Sequence, residues 1–315
     1  MNIRTARYVA SDKSAWDAFI KRSRNATFLF YRDYMDYHAD RFSDCSLMIW
    51  DDDRLVALLP ANVRDNELYS HAGLTYGGLI TGFDMQGAKV LHIFEALAEY
   101  CRENGFEALH YKPVPTIYHK VPAQDDEYAL WRLGAELESC TLSSAVETGC
   151  TQTALARRKR EYCRQLKRQG YTVCPDCAPD EMWPMLESSL KERHNVAPVH
   201  DVDEIRLLMS RFPDNIKCVT VRNPQGLMMG GVVLYAMDRV LHMQYSCSCP
   251  EGMKAGAMNF LYGWILDYCR MNGFQYYDMG ISTEQQGRVL NESLDFWKWS
   301  FGGRGVVFKT YLLKF

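Results

Sequence analysis

The sequence predicts an α/β (α+β) fold built as two related domains in tandem, and three observations carry that expectation. The first is an internal repeat. Leu91 to Lys112 reads LHIFEALAEYCRENGFEALHYK, and Asn259 to Ser282 reads NFLYGWILDYCRMNGFQYYDMGIS. A displacement of 168 positions lays Tyr100-Cys101-Arg102 on Tyr268-Cys269-Arg270 and Asn104-Gly105-Phe106 on Asn272-Gly273-Phe274, six identities in seven consecutive positions. The second is the local grammar of each copy: an amphipathic run, an Asn-Gly stop where glycine can turn left-handed, then an aromatic β-like run. The third is size. An offset of 168 is far too long for a solenoid period, and 315 residues divide into two domains with cores of their own, drawn at residues 1–150 and 151–315.

In chain order, Ile3 to Val9 reads as a strand, and Asp12 to Arg24 and Tyr31 to Arg41 as helices. Ser46 to Trp50 and Leu55 to Val63 form a hairpin around the polar turn Asp51-Asp52-Asp53. Ser70 to Leu79 is glycine-rich, which suits close approach of backbone to backbone or to a ligand. The first copy of the repeat follows, then Tyr111 to Pro115 and a short helix near Tyr128 to Leu133. The second half opens on a helical stretch, Thr151 to Gln169, and continues with helices at Asp180 to Asn195 and Val202 to Phe212. Ile216 to Val221, Met228 to Met237 and Val240 to Tyr245 make a β-meander turned at Asn223-Pro224-Gln225-Gly226 and Asp238-Arg239. The second copy comes next, and Val306 to Leu313 is expected to close the second domain's sheet.

Composition narrows the function classes. A net charge of −3 gives no overall nucleic-acid or membrane signature, and 47% hydrophobic content is ordinary for a globular chain. Met1 to Trp16 has no apolar core of a secretory signal, and no window approaches the eighteen apolar residues of a membrane span. Eleven scattered cysteines, an odd number, suit reduced thiols in a cytoplasmic protein. Cys174-Pro175-Asp176-Cys177 has zinc-knuckle spacing. Its one imaginable partner, Cys247-Ser248-Cys249, is poor chelating geometry on a strand, so no metal is expected. No nucleophile elbow, P-loop or dinucleotide fingerprint appears.

The densest charge lies at Arg157, Arg158, Lys159, Arg160, Arg164, Lys167 and Arg168, against the single Glu161. Leu155, Tyr162 and Leu166 keep an apolar stripe at helical spacing, so the helix lies on a core with a basic outer face. That face is either solvated or a cradle for phosphate or RNA, with Arg157, Arg160 and Arg164 as its candidate contacts. His194 and His200 fall in the irregular link between the next two helices and are further binding candidates.

Four segments then resemble the FemABX family of acetyltransferase-like proteins, whose members carry two GNAT-like domains. They are the basic helix from Arg157 to Gly170, His242-Met243-Gln244-Tyr245, Tyr277 to Ser282, and Leu290 to Leu294 running into Phe296-Trp297-Lys298-Trp299-Ser300-Phe301-Gly302-Gly303. The order of strand, two helices, meander, long helix and strand is likewise similar to a GNAT acyltransferase fold, here passed through twice. In the first half the resemblance is looser, at Tyr76-Gly77-Gly78 and Lys112-Pro113. It implies tandem GNAT-like acyltransferase domains. It also implies transfer of an acyl or aminoacyl group to an amine of a cell-envelope precursor, peptide or amino sugar, by direct attack and without an acyl-enzyme.

No tightly bound cofactor is implied, with acyl-CoA or aminoacyl-tRNA as co-substrate and tRNA as a candidate partner. The chain departs from CoA-binding relatives at Pro250 to Ala257, a small, flexible turn without the usual arginine or glutamine in register. The family's lysine in the first domain has no clear counterpart, Arg32 lying out of register. A catalytically silent tandem binding module is the alternative reading.

Direct transfer needs an uncharged amine, a polarised carbonyl and a proton donor for the leaving group. Lys298, flanked by Trp297 and Trp299, is the candidate cation for the oxyanion, the bland reading being a surface lysine among aromatics. His242 is a candidate base or a satisfied core histidine. It and Tyr245, three apart on a strand, are expected on opposite faces. Asp278 and Ser282 follow the repeat helix at a strand end, where α/β folds tend to place ligands, unless they serve as cap and turn. Asn291, Tyr76 and Lys112 complete the candidate binding residues.

Overall fold

The computed structural model describes residues 2–153 and 155–315, the side chains of Thr153, Arg193 and His194 excepted. Two compact units divide it, and their boundaries interleave. One is Met1–Leu142 with Thr283–Val289 and Val307–Phe315; the other is Ser143–Ser282 with Leu290–Val306. No described helix is long and apolar enough to cross a membrane.

The first unit opens with β1 (Ile3–Arg7), α1 (Lys13–Arg22) and α2 (Arg32–Met35), followed by β2 (Ser43–Asp44), β3 (Leu47–Asp51), β4 (Arg54–Leu59), β5 (Asn62–Arg64), β6 (Glu67–Tyr69) and β7 (Ile80–Thr81). Then come α3 (Gly87–Glu103), β8 (Ala108–Tyr111), α4 (Asp125–Arg132) and β9 (Glu136–Glu147), which carries the chain across the boundary at residue 142. The hairpin β3–β4 turns at Asp52, whose φ of 51° is tolerated by a short polar side chain. One sheet runs β1-β3-β4-β7, and β8-β6-β5-β2 are paired in a second. Helix α3 buries Val90, Ile93, Phe94, Leu97 and Cys101 at helical spacing, packed into one core with Leu47, Leu59, Leu68 and Leu109.

The helix expected at Tyr31 to Arg41 is shorter, a four-residue α-turn that runs on into a 3₁₀ turn at Asp36–His38. Arg32 is buried, held by Asp36 and Asp44 and lying 4.0 Å over the Tyr8 ring, and His38 Nδ1 meets Met35 O at 2.7 Å.

In the second unit come α5 (Arg157–Arg168), β10 (Thr172–Cys174), α6 (Pro179–His194), α7 (Val202–Arg211), β11 (Ile216–Arg222), β12 (Met228–Ala236), β13 (Val240–Ser248), α8 (Pro250–Ala255), α9 (Ala257–Met271) and β14 (Tyr276–Ile281). The strands β15 (Thr283–Glu284) and β16 (Val289–Leu290) form a small ribbon before α10 (Glu292–Trp299) and β17 (Arg304–Lys314). Strands β10-β11-β12-β13-β14 are paired in that order, all antiparallel except β13 with β14, and Tyr276–Asp278 pair on the other side with Ala145–Glu147 of β9. Val232, Leu234, Leu241, Tyr277 and Met279 form one core with Leu261, Ile265 and Leu266 of α9. Helix α6 packs on β13, with Trp183 edge-on to Tyr245.

The two copies of the repeat form the same local structure. In each, a helix of the repeat ends at Asn-Gly and a strand begins five residues after its last turn's Glu103 or Met271. Gly105 (φ 72°) and Gly273 (φ 75°) take the left-handed conformation, Phe106 N and Phe274 N bond back to Cys101 O and Cys269 O, and Asn104 and Asn272 side chains each donate to the tyrosine carbonyl four residues earlier.

The strand expected to close the second domain, β17, lies beside β9 and is shared between the units, residues 304–306 belonging to the second. Its greater part, 307–315, belongs to the first unit, where Tyr311 pairs with Tyr111, Leu313 enters the core, and Lys309 and Tyr311 both bind Glu127. The contiguous division at residue 150 therefore differs from the observed one.

Candidate functional site

The site of the second unit forms where β13 and β14 part. They are paired in parallel from Val240–Tyr276 to His242–Asp278. Beyond that, Gln244 has no partner on β12: Val233 faces Tyr245 while Leu234 faces Met243. This bulge bends β13 and puts His242 and Tyr245 on the same face, contrary to the simple alternation of the sequence. Gly280 (φ 76°) turns β14 at the same level. Between the diverging ends lies a cavity of about 520 Å³, with Gln244, Tyr245, Met258, Tyr262, Trp297 and Lys298 among its walls.

Lys298 reaches it from α10. Asn291 caps that helix by accepting from Leu294 N at 3.0 Å, with Glu292 and Asp295 in its first turn. At its other end Phe301 N and Gly303 N both bond Lys298 O, and a Cβ on Gly303 would sit 2.9 Å from that oxygen, so the helix can close there only on glycine. Lys298 is buried, and its ammonium donates to Gly280 O and Ile281 O, both at 2.7 Å. Burial pulls its pKa down to about 8, opposed by Asp278 and Asp295. Two of three N–H bonds are thus spent on holding the strand end, and the third remains for a group entering the cavity.

His242 and Asp278 meet directly, Nδ1 to Oδ2 at 2.9 Å, both buried. Asp278 Oδ1 also accepts from Ser143 Oγ at 2.6 Å and Gly280 N at 3.0 Å. Neither side chain lines the cavity; they fix the point from which the strands diverge. Tyr245 does line it, and its hydroxyl lies 2.7 Å from His200 Nδ1, with burial raising the phenol's pKa. Ser282 is buried with no hydrogen-bond partner for its hydroxyl among the described residues. Asn291 is engaged as the helix cap. The side chain of His194 lies outside the described residues.

The remaining candidates stand elsewhere. Arg160 and Arg164, with Lys167 and Arg270, border a second groove of about 790 Å³ between α5 and α9, over Phe260 and Trp264. Arg157 is exposed but does not border it. The inner face of α5 explains the helix's placement: Lys159 bonds Asn259 Oδ1 and lies 4.7 Å over the Phe301 ring, and Tyr162 bonds Ala255 O.

In the first unit Tyr76 and Lys112 serve the glycine-rich loop. Tyr76 is buried against Phe30, Tyr118 and Phe308. Lys112 donates to Leu74 O at 2.5 Å, its pKa lowered to about 8 by burial, while Gly77 N bonds Lys112 O. A Cβ on Gly77 would fall 1.6 Å from Ser70 O, so this glycine serves backbone packing. Lys112 thus ties the loop to the chain just after β8, and Tyr76 packs among aromatic rings, so each has a structural partner of its own.

The turn expected to be small and flexible at Pro250 to Ala257 is a six-residue helix that caps itself. Cys249 Sγ accepts from Gly252 N at 3.3 Å, and Gly252 packs so tightly on Met229 O that a Cβ would lie 1.9 Å from it. Gly252 N and Met253 N of this turn are therefore already bonded, to Cys249 Sγ and Cys249 O.

Sequence reasoning missed the methionines of the cavity wall, Met243, Met253, Met258 and Met279. Their density around the start of the repeat helix was the available signal.

The fold and this geometry define a tandem GNAT-fold protein. Residues 153–286 match the family model of the acetyltransferase (GNAT) domain, and no curated protein matches the chain. Among solved structures the chain is similar to FemX (TM-score 0.69, 11% identity, 100% of this chain and 98% of that one). It is also similar to L-PGS from Bacillus licheniformis (0.61, 10%, 98% and 92%) and to a tandem GNAT protein of the clavulanic acid biosynthesis pathway (0.58, 10%, 99% and 98%). The architecture is FemX-like.

Proposed function

We propose that the chain is an N-acyltransferase whose second unit transfers an acyl or aminoacyl group to an amine by direct attack. The observation that carries this is Lys298, a buried ammonium with one N–H to spare at the wall of the cavity where β13 and β14 part. An amine lone pair attacks the donor carbonyl. The oxygen gains negative charge beside Lys298; as the carbonyl re-forms, the donor's leaving group departs with the bond electrons and takes up the proton given up by the amine. Screened by Trp297 and Tyr262, one positive charge is more effective there than in water. The acceptor is an amine of a cell-envelope precursor, peptide or amino sugar, and the Arg160–Arg164 groove is where phosphate or RNA of a substrate would lie.

The self-capped α8 favours a second reading, a module that has lost its donor site. Incubation with acyl-CoAs or aminoacyl-tRNA and a panel of amine acceptors, followed by mass spectrometry, separates the two. An amide product supports transfer. Ligand-induced stabilisation of the fold without product from any donor leaves the binding module.

A further inference from the structure

We propose that the cavity between β13 and β14 takes an uncharged, unbranched aliphatic acyl chain as the transferred group, in preference to an aminoacyl group; this rests on the acyl-transfer reading above. The walls give the first reason. Met243, Met253 and Met258 line it together with Leu294 and Ile281. Thioether chains are unbranched and polarisable, and they adapt to a flexible chain better than branched residues do. At about 520 Å³ the cavity has room for more than an acetyl group.

Charge is the second reason. An aminoacyl donor carries an α-ammonium, and burying it requires a carboxylate or well-placed carbonyls. Among the described residues neither Asp nor Glu lines the cavity, and the one charged residue there is the cation Lys298. The carboxylates that face Lys298 are committed or turned elsewhere. Asp278 is bonded to His242, Ser143 and Gly280 N, and Asp295 borders a separate surface hollow with Phe296 and Trp299. Two carbonyls of the cavity's wall residues, Gly280 O and Ile281 O, already accept from Lys298 Nζ. An entering ammonium would meet a like charge where it needs an opposite one.

Calorimetric titration of the full chain with straight-chain N-(2-hydroxyethyl)amides, acetyl through dodecanoyl, tests this without turnover. Affinity should climb about threefold to fourfold per added methylene until the cavity is full, then level off. The 2-amino analogue of the best chain should bind at least tenfold more weakly at pH 6. Leu294→Trp, at the exposed edge of the lining, should shift the preferred chain to a shorter one. Affinity that ignores chain length, a 2-amino analogue that binds as well as its parent, or an unmoved optimum in Leu294→Trp would each overturn the assignment. Chain-length-dependent binding with no transfer would defeat the acyltransferase reading alone. Transfer that prefers aminoacyl donors would defeat the assignment alone.

Discussion

His242 Nδ1 lies 2.9 Å from Asp278 Oδ2 at the last position where β13 and β14 are paired, so the imidazole and carboxylate lock the strands just before they part. The displacement of 168 that relates the repeat copies lays His110 on Asp278. In the first unit that position holds an imidazole between the Glu67 and Glu138 carboxylates. In the second it holds a carboxylate against an imidazole, and that carboxylate also faces Lys298.

This arrangement predicts a separable effect of charge and packing. Asp278→Ala should destabilise the fold by about 3 kcal/mol, since it strands His242 and Ser143 in the interior; urea denaturation measures it. Asp278→Asn keeps the shape but removes a negative charge that raises the pKa of Lys298. Its alkaline loss of turnover should therefore begin at lower pH than in the wild type. An unmoved alkaline limb in a folded Asp278→Asn protein would show that the carboxylate does not tune the lysine.

The basic helix makes a positional prediction. Arg160 and Arg164 border the α5–α9 groove, whereas Arg157 does not. Exchange of Arg160 and Arg164 for glutamine should weaken binding of a phosphate-bearing substrate or RNA and flatten its salt dependence, while Arg157→Gln should do much less. Both changes are at exposed side chains and should leave stability within about 0.5 kcal/mol. Equal salt slopes in all variants would return the helix to a solvated face.

The glycines of the repeat and of the loop should differ in cost. A Cβ at Gly105 or Gly273 meets nothing within 4 Å, so alanine there suffers only the left-handed backbone, about 1 kcal/mol at each site. Gly77→Ala drives a methyl into Ser70 O and should cost about 3 kcal/mol or more. Thermal or urea unfolding of the three variants checks the ranking, and similar costs would contradict the packing argument.

These sites also show what was legible beforehand. The helix ends were, because Asn-Gly after an amphipathic run dictates a left-handed stop, and both copies make the same bonds. The bulge at Gln244 was not. Skipping one residue leaves no mark in the alternation, yet it decides that His242 and Tyr245 share a face. The partner of β17 was not legible either, since Tyr311 and Lys309 are drawn to Glu127, far away in sequence. Lys298 was legible through its flanking tryptophans and the resemblance carried by Phe296 to Gly303. Hydropathy reads a lysine as exposed, and its burial follows from two carbonyls that β14 presents at Gly280 and Ile281.

Lys298 therefore carries the most consequential prediction. If its spare N–H stabilises the oxyanion, Lys298→Ala should lower kcat by about 10²–10³ with little change in KM. Lys298→Arg should restore activity only in part, because the planar guanidinium cannot place one N–H at the cavity while bonding both carbonyls as the ammonium does. The pH profile should have two opposed limbs. Rate rises as the acceptor amine loses its proton, and falls above a pH of about 8 as Lys298 loses its own. Stability moves the other way. The native pKa is below the usual lysine value of 10.5, so between these values the unfolded chain binds more protons and folding gains with rising pH. Measured against Lys298→Met, wild-type stability should rise on the order of 2 kcal/mol from pH 7 to pH 10. A Lys298→Ala enzyme that keeps full turnover, or a wild-type profile with no alkaline limb, would leave the lysine a structural clamp on the end of β14.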